Sequence, residues 1–154
     1  MSTVHHSRRA FRVIATIAIL ALLMAAMVLT VSAVDEEEEI CVQMTIGQTN
    51  YSINGVPKLM DSAPYVNSDD RTMVPLRVLG EALGAHVFWE AEQDTAGAIY
   101  DSQMIRFKLF ENTMQMGGRT ITMDTESTIQ NGRTMIPLRA AAEAFPELSL
   151  ELYH

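Results

Sequence analysis

Arg71-Thr72-Met73-Val74-Pro75-Leu76-Arg77 recurs as Arg133-Thr134-Met135-Ile136-Pro137-Leu138-Arg139, 62 residues further along the chain. The match continues through Glu81-Ala82 and Glu143-Ala144. Upstream, Ile53-Asn54-Gly55 answers to Met116-Gly117-Gly118 and Asp61 to Asp124, now at a spacing of 63. The first copy therefore has one extra residue, placed within Asn67-Ser68-Asp69-Asp70. An internal match of this length sets the architecture before any single residue is interpreted.

Both copies read alike. A short strand over 50–53 or 113–116 reaches Asn54-Gly55 or Gly117-Gly118, pairs that accept the positive φ of a tight hairpin turn, so a returning strand is expected. A second turn, Asn131-Gly132 or the weaker Asp69-Asp70, precedes the alternating Arg-Thr-Met-Val/Ile. Pro75 and Pro137 suit a first helical turn and disfavour helix in the residue before them. The first helix is predicted over 75–83, with Leu76, Leu79 and Leu83 on one stripe and Gly84 as left-handed cap. The second is predicted over 137–144, ended by Pro146.

Strands are expected over 86–90, 96–101 and 103–110, and Leu148-Ser149-Leu150-Glu151-Leu152 alternates as a final half-buried strand. A unit of this size cannot bury both faces of a hairpin and a two-turn helix by itself. The expected fold class is therefore α+β: mostly antiparallel short strands with two short helices, a duplicated hairpin-helix unit sharing one core. The units span about 42–101 and 103–154, within a domain over 41–154.

The N-terminus reads as an address. Arg8, Arg9 and Arg12 precede an uncharged run over 13–34, and Val31-Ser32-Ala33 supplies a signal-peptidase site. Residues 1–33 are thus expected to be a signal peptide; the run is also long enough to stay as an uncleaved anchor, the only membrane contact foreseen. In either case the arginines hold the N-terminus inside and the rest is placed outside the membrane, secreted or in the cell envelope. Arg8-Arg9 also allows twin-arginine export. Residues 34–40, with five adjacent acids Asp35 to Glu39, are expected to be a solvated spacer.

All 19 acidic residues lie at or after Asp35, so a chain beginning at Val34 keeps 8 basic residues and a net charge of −11. That surface repels nucleic acid and anionic lipid, and neither is an expected partner. Cys41 is the sole cysteine, so no internal disulfide forms; it is read as an unmodified thiol near a flexible end.

Arg-Thr-Met-Val-Pro-Leu-Arg, then Glu81-Ala82-Leu83-Gly84-Ala85 and an apolar strand ending in Trp89, resembles the copper amine oxidase N-terminal-like domain, also called the stalk domain. The likeness runs from about Val42 to the C-terminus. Asn131-Gly132-Arg133-Thr134 fits the family lead-in better than Ser68-Asp69-Asp70-Arg71, and Phe145-Pro146-Glu147 departs from it. The resemblance implies an exported module of Gram-positive bacteria, remote from copper and catalysis in the oxidase and envelope-associated in stand-alone relatives. It carries over no catalytic residue and no cofactor. An oxidase copper site needs three histidines, and beyond the N-terminal segment only His86 and His154 remain. Tyr51 after Asn50 mimics the oxidase cofactor tyrosine but reads as a strand aromatic.

The motif residues Arg71, Pro75, Arg77, Glu81, Gly84, Arg133, Pro137, Arg139 and Glu143 are read as structural. Arg77–Glu81 and Arg139–Glu143 have the i,i+4 spacing of helix ion pairs, each worth about 0.3–0.5 kcal/mol if exposed. Trp89, Tyr65 and Tyr100 are a candidate ligand face for a glycan. Met104, Met114, Met116 and Met123 are soft potential Cu(I) ligands, though Met is equally a filler of cores. The expected function is a non-catalytic envelope module binding protein or cell-wall polymer; the alternative is an exported copper carrier using the methionines. Exposed Met114 and Met116 would favour the carrier, buried ones the module.

Overall fold

A computed structural model describes residues 39–154. The signal peptide or anchor read in 1–33 and most of the acidic spacer lie outside the described residues. Ile40, assigned to that spacer, is instead the first residue of a strand, β1 (Ile40–Thr45). Cys41 lies inside that strand. Its thiol is pushed up, first by desolvation and then by the carboxylates of Glu151 and Glu39.

The turn dipeptides fold as their chemistry demands. Asn54 and Gly55 both take positive φ, 49° and 77°, and join β2 (Asn50–Ile53) to β3 (Val56–Leu59). Gly117 and Gly118 join β9 (Thr113–Met116) to β10 (Arg119–Thr122) in the same way. Asn131 and Gly132 join β11 (Thr128–Gln130) to β12 (Arg133–Pro137). Between β4 (Tyr65–Val66) and β5 (Thr72–Pro75) the connection is longer, the five residues 67–71 against two at Asn131-Gly132. There the Asn67 carboxamide oxygen accepts the backbone N–H of Asp69 at 3.0 Å and of Arg71 at 2.9 Å.

Pro75 stays extended at φ −74° and ψ 122°, and the helix α1 (Leu76–Leu83) begins immediately after it. Gly84 at φ 67° closes the helix, and the N–H of Ala85 returns to the carbonyl of Gly80 at 2.8 Å. Leu76, Val78, Leu79 and Leu83 form its buried stripe. Pro137 opens α2 (Leu138–Ala144) likewise, but Phe145 ends it at φ −132° without a left-handed cap. The Phe145 ring is fully buried, so the chain turns inward where Gly84 turns outward.

The remaining strands are β6 (His86–Glu90), β7 (Thr95–Tyr100), β8 (Gln103–Lys108) and β13 (Leu148–Tyr153). Three sheets result: β13-β1-β2-β3, β10-β9-β8-β7-β6 and β11-β12-β5-β4. This corrects the expected fold class. The described chain is mostly β, with 53% strand against 16% helix, and is not a duplicated hairpin-helix unit. The reason lies in where strand edges find partners. β6, β7 and β8 form a meander whose open edge takes up the β9–β10 hairpin. The β2–β3 hairpin docks instead on β1, which pairs in parallel with β13. Only the heptapeptide strands meet as equivalents: β5 and β12 pair antiparallel with Val74 opposite Ile136.

All three sheets and both helices contribute to one core, in which Val74, Ile136, Leu79, Phe107 and Phe145 are fully buried. β3 is exposed at every position, and Pro57 removes one N–H from its free edge, which discourages pairing with another chain.

The outer face of the first sheet carries a polar row. Tyr153 donates its hydroxyl to Glu151 at 2.6 Å, Gln43 donates to Glu151 at 2.9 Å, and Ser52 donates to Gln43 at 2.9 Å. These donors, Tyr153 first, hold the Glu151 carboxyl below its ordinary range. A carboxyl so lowered adds stability above its unfolded pKa, and loses that contribution as pH falls through its folded value. Tyr153→Phe is expected to move the Glu151 titration upward, followed by side-chain carboxyl NMR; an unmoved titration would deny the hydroxyl this role.

Candidate functional site

The antiparallel pairing of β5 with β12 decides where the recurring residues go. Because Val74 faces Ile136, the Arg-Thr start of each heptapeptide lies beside the Leu-Arg end of the other. Two clefts follow. One, of about 440 Å3, is framed by Arg71 and Thr72 of β5 with Leu138 and Arg139 of α2. The other, of about 360 Å3, is framed by Arg133 and Thr134 of β12 with Leu76 and Arg77 of α1.

Their neighbours differ. Asp124 and Asp70 line the first cleft. Asp124 lies 3.0 Å from Arg71 and 3.7 Å from Arg139, so one carboxylate draws in both guanidinium groups. The second cleft is walled by Val87, Phe88 and Trp89 of β6, with Ile129 across from them. Trp89 is 48% exposed and Ile129 46%. Trp89 pairs with the buried Ala96 and so starts on the core-facing side of the sheet. β6 is an edge strand, however, and the ring overhangs the cleft where the core ends. Arg133 is ion-paired to Asp61, which does not line this cleft. Arg77 makes no ion pair among the described residues.

The expected i,i+4 pairs are not the ones formed. Glu81 receives the Tyr51 hydroxyl at 3.5 Å, and burial followed by that carboxylate pushes the Tyr51 hydroxyl up. Arg139 turns to Asp124 and leaves Glu143 exposed. Pro75 and Pro137 are buried strand ends, and Gly84 is the cap described above.

Of the three aromatics read as a ligand face, only Trp89 lines the cleft. Tyr65 shares a hydrogen bond of 2.9 Å with Thr128. Tyr100 packs partly buried against the core, four residues along β7 from the partner of Trp89, roughly 13 Å away at strand spacing. Met114 and Met123 are in the core, at 1% and 6% exposure, with Met116 packed against it. Met104 projects from the opposite face of the sheet, since its neighbour Ile105 faces the core with Phe107. The four sulfurs therefore do not converge on one site.

The fold and its clefts define the class: a β-rich domain presenting surface clefts framed by paired arginines. Residues 52–147 match the copper amine oxidase N-terminal domain, and the chain belongs to that family. In the copper amine oxidases this domain is non-catalytic. No curated protein matches the chain.

Proposed function

We propose that the domain is a non-catalytic module of the cell envelope, displayed outside the membrane, which holds a wall polymer in the Trp89 cleft. The observation that carries this reading is a half-exposed tryptophan overhanging an apolar cleft in a domain of a non-catalytic family. Trp combines a large apolar face with low conformational entropy, and its exposure on a soluble surface marks contact sites. The basic, then uncharged N-terminal segment supports placement outside the membrane. A copper carrier is disfavoured by the buried Met114 and Met123.

The test is co-sedimentation of the full chain with purified cell-wall sacculi. Saturable binding is expected, weakened roughly tenfold or more by Trp89→Ala, as for a central aromatic anchor. Absence of saturable binding would overturn the wall-polymer reading.

A further inference from the structure

We infer that the Trp89 cleft selects an anionic glycan, laying a sugar ring against Trp89 while Arg77 takes a carboxylate or phosphate on that ring. The inference rests on the reading of this cleft as a wall-polymer site. It adds the charge of the ligand and the residue that senses it.

The two clefts form a natural comparison, because the same heptapeptide residues frame both. At Arg139, Asp124 stands 3.7 Å away and is shared with Arg71, while Asp70 adds a second carboxylate to the lining. That cleft is internally balanced and has no aromatic wall. At Arg77, the equivalent position, no carboxylate lines the cleft. The one acid spaced to pair with it along the helix, Glu81, lines a different pocket beside Arg77 and accepts the Tyr51 hydroxyl at 3.5 Å without an ion pair to Arg77. The cleft thus joins a guanidinium that has no ion-pair partner among the described residues to an apolar wall, with Asp61 and Glu81 lining the neighbouring pocket on the far side of Arg77.

A neutral ligand would leave that cation unused, and a small inorganic anion would leave the wall unused. A ring bearing an anion uses both. The guanidinium fork matches carboxylate and phosphate oxygens in a bidentate manner, and the flanking indole shields the pair from water. The net charge of −11 from Val34 onward opposes any anion at long range. At physiological salt that repulsion is screened beyond about 8 Å, so the local charge of the cleft governs binding.

The experiment titrates the full chain against sacculi at about 0.15 M salt in three preparations. These are untreated sacculi, sacculi stripped of phosphodiester-linked polymer, and sacculi with carboxylates capped as neutral amides. Arg77→Gln is expected to weaken binding to untreated sacculi roughly tenfold, the loss of one charge-assisted contact. Arg139→Gln, in the balanced cleft, is expected to stay within about twofold, as for an exposed surface charge. Loss of binding on stripping identifies phosphate as the anion, and loss on capping identifies carboxylate. Equal binding of all three preparations overturns the inference whatever Arg77→Gln does, and so does an equal loss in Arg77→Gln and Arg139→Gln. In those cases a continuing effect of Trp89→Ala leaves wall binding standing, with stacking alone as its basis. If the parent chain binds none of the preparations, the wall-polymer reading itself falls.

Discussion

Phe107→Ala is expected to destabilise the domain by about 4 kcal/mol. Phe107 is fully buried on β8, the middle strand of the five-stranded sheet, between Ala96 on one side and Met114 on the other. Both neighbours are fixed in hydrogen-bonded ladders. Ala96 has no side chain to lean inward, so collapse into the vacated space falls mainly to Met114. The removed ring therefore leaves a residual cavity whose penalty adds to the lost transfer free energy. Against a typical total stability of about 5–15 kcal/mol, such a loss takes much of the margin. Urea unfolding followed by circular dichroism gives the number. Phe110→Ala is the matched control: that ring is 58% exposed and its removal is expected to stay within about 0.5 kcal/mol. A loss below about 1 kcal/mol for Phe107→Ala would mean the core does not close around this ring.

The contrast between Phe107 and Phe110 also shows what local sequence can encode. Alternation told which side of a strand faces inward, and this held for β13, where Leu148, Leu150 and Leu152 turn to the core. Turn pairs with obligatory positive φ were legible because their chemistry is local, as at Asn54-Gly55 and Asn131-Gly132. The proline entry and glycine exit of α1 were legible for the same reason. Alternation does not name the neighbouring strand, and there the fold class went astray. The parallel pairing of Ile40 with Leu148 joins opposite ends of the domain. Nothing in either segment announces the other. The heptapeptides looked like the starts of two separate units, yet they lie side by side in one ladder.

The candidate site was legible only in part, for the same physical reason. Trp89 was singled out as an aromatic, but Arg77, Arg133 and Ile129 reach it from three other segments. Arg77 was assigned to Glu81 by spacing alone. An i,i+4 pair on an exposed helix is worth so little that spacing alone does not hold Arg77 to Glu81, which instead accepts the Tyr51 hydroxyl. Tyr65 and Tyr100 fit the aromatic pattern equally well by sequence. A hydroxyl bond to Thr128 and packing against the core decide otherwise.

Gly97→Ala is expected to cost about 3 kcal/mol, near the upper end for overpacking by one methyl group. Gly97 lies in β7 between Phe88 on β6 and Arg106 on β8. The Phe88 ring is laid across the glycine, with the Arg106 guanidinium 5.9 Å from the ring centroid and 3.5 Å from Glu90. A methyl group at position 97 would overlap the ring and stand 2.5 Å from the carbonyl oxygen of Ile105. The ring can swing away at the expense of its contact with Arg106. The carbonyl belongs to the β7–β8 ladder and can retreat only by shifting the strand. Phe88→Ala in the Gly97→Ala background should therefore recover part of the loss and not all of it, a non-additivity that a double-mutant cycle reads directly. Full recovery would place the whole conflict at the ring, and a Gly97→Ala loss under about 0.5 kcal/mol would show the strand to be more yielding than its ladder implies. The consequence extends to the cleft. Among the described residues β6 is an edge strand that pairs with β7 alone, and Trp89 follows Phe88 on it. A ring displaced from Gly97 tilts β6 and carries Trp89 with it, so Gly97→Ala should also weaken sacculus binding although Gly97 itself does not line the cleft.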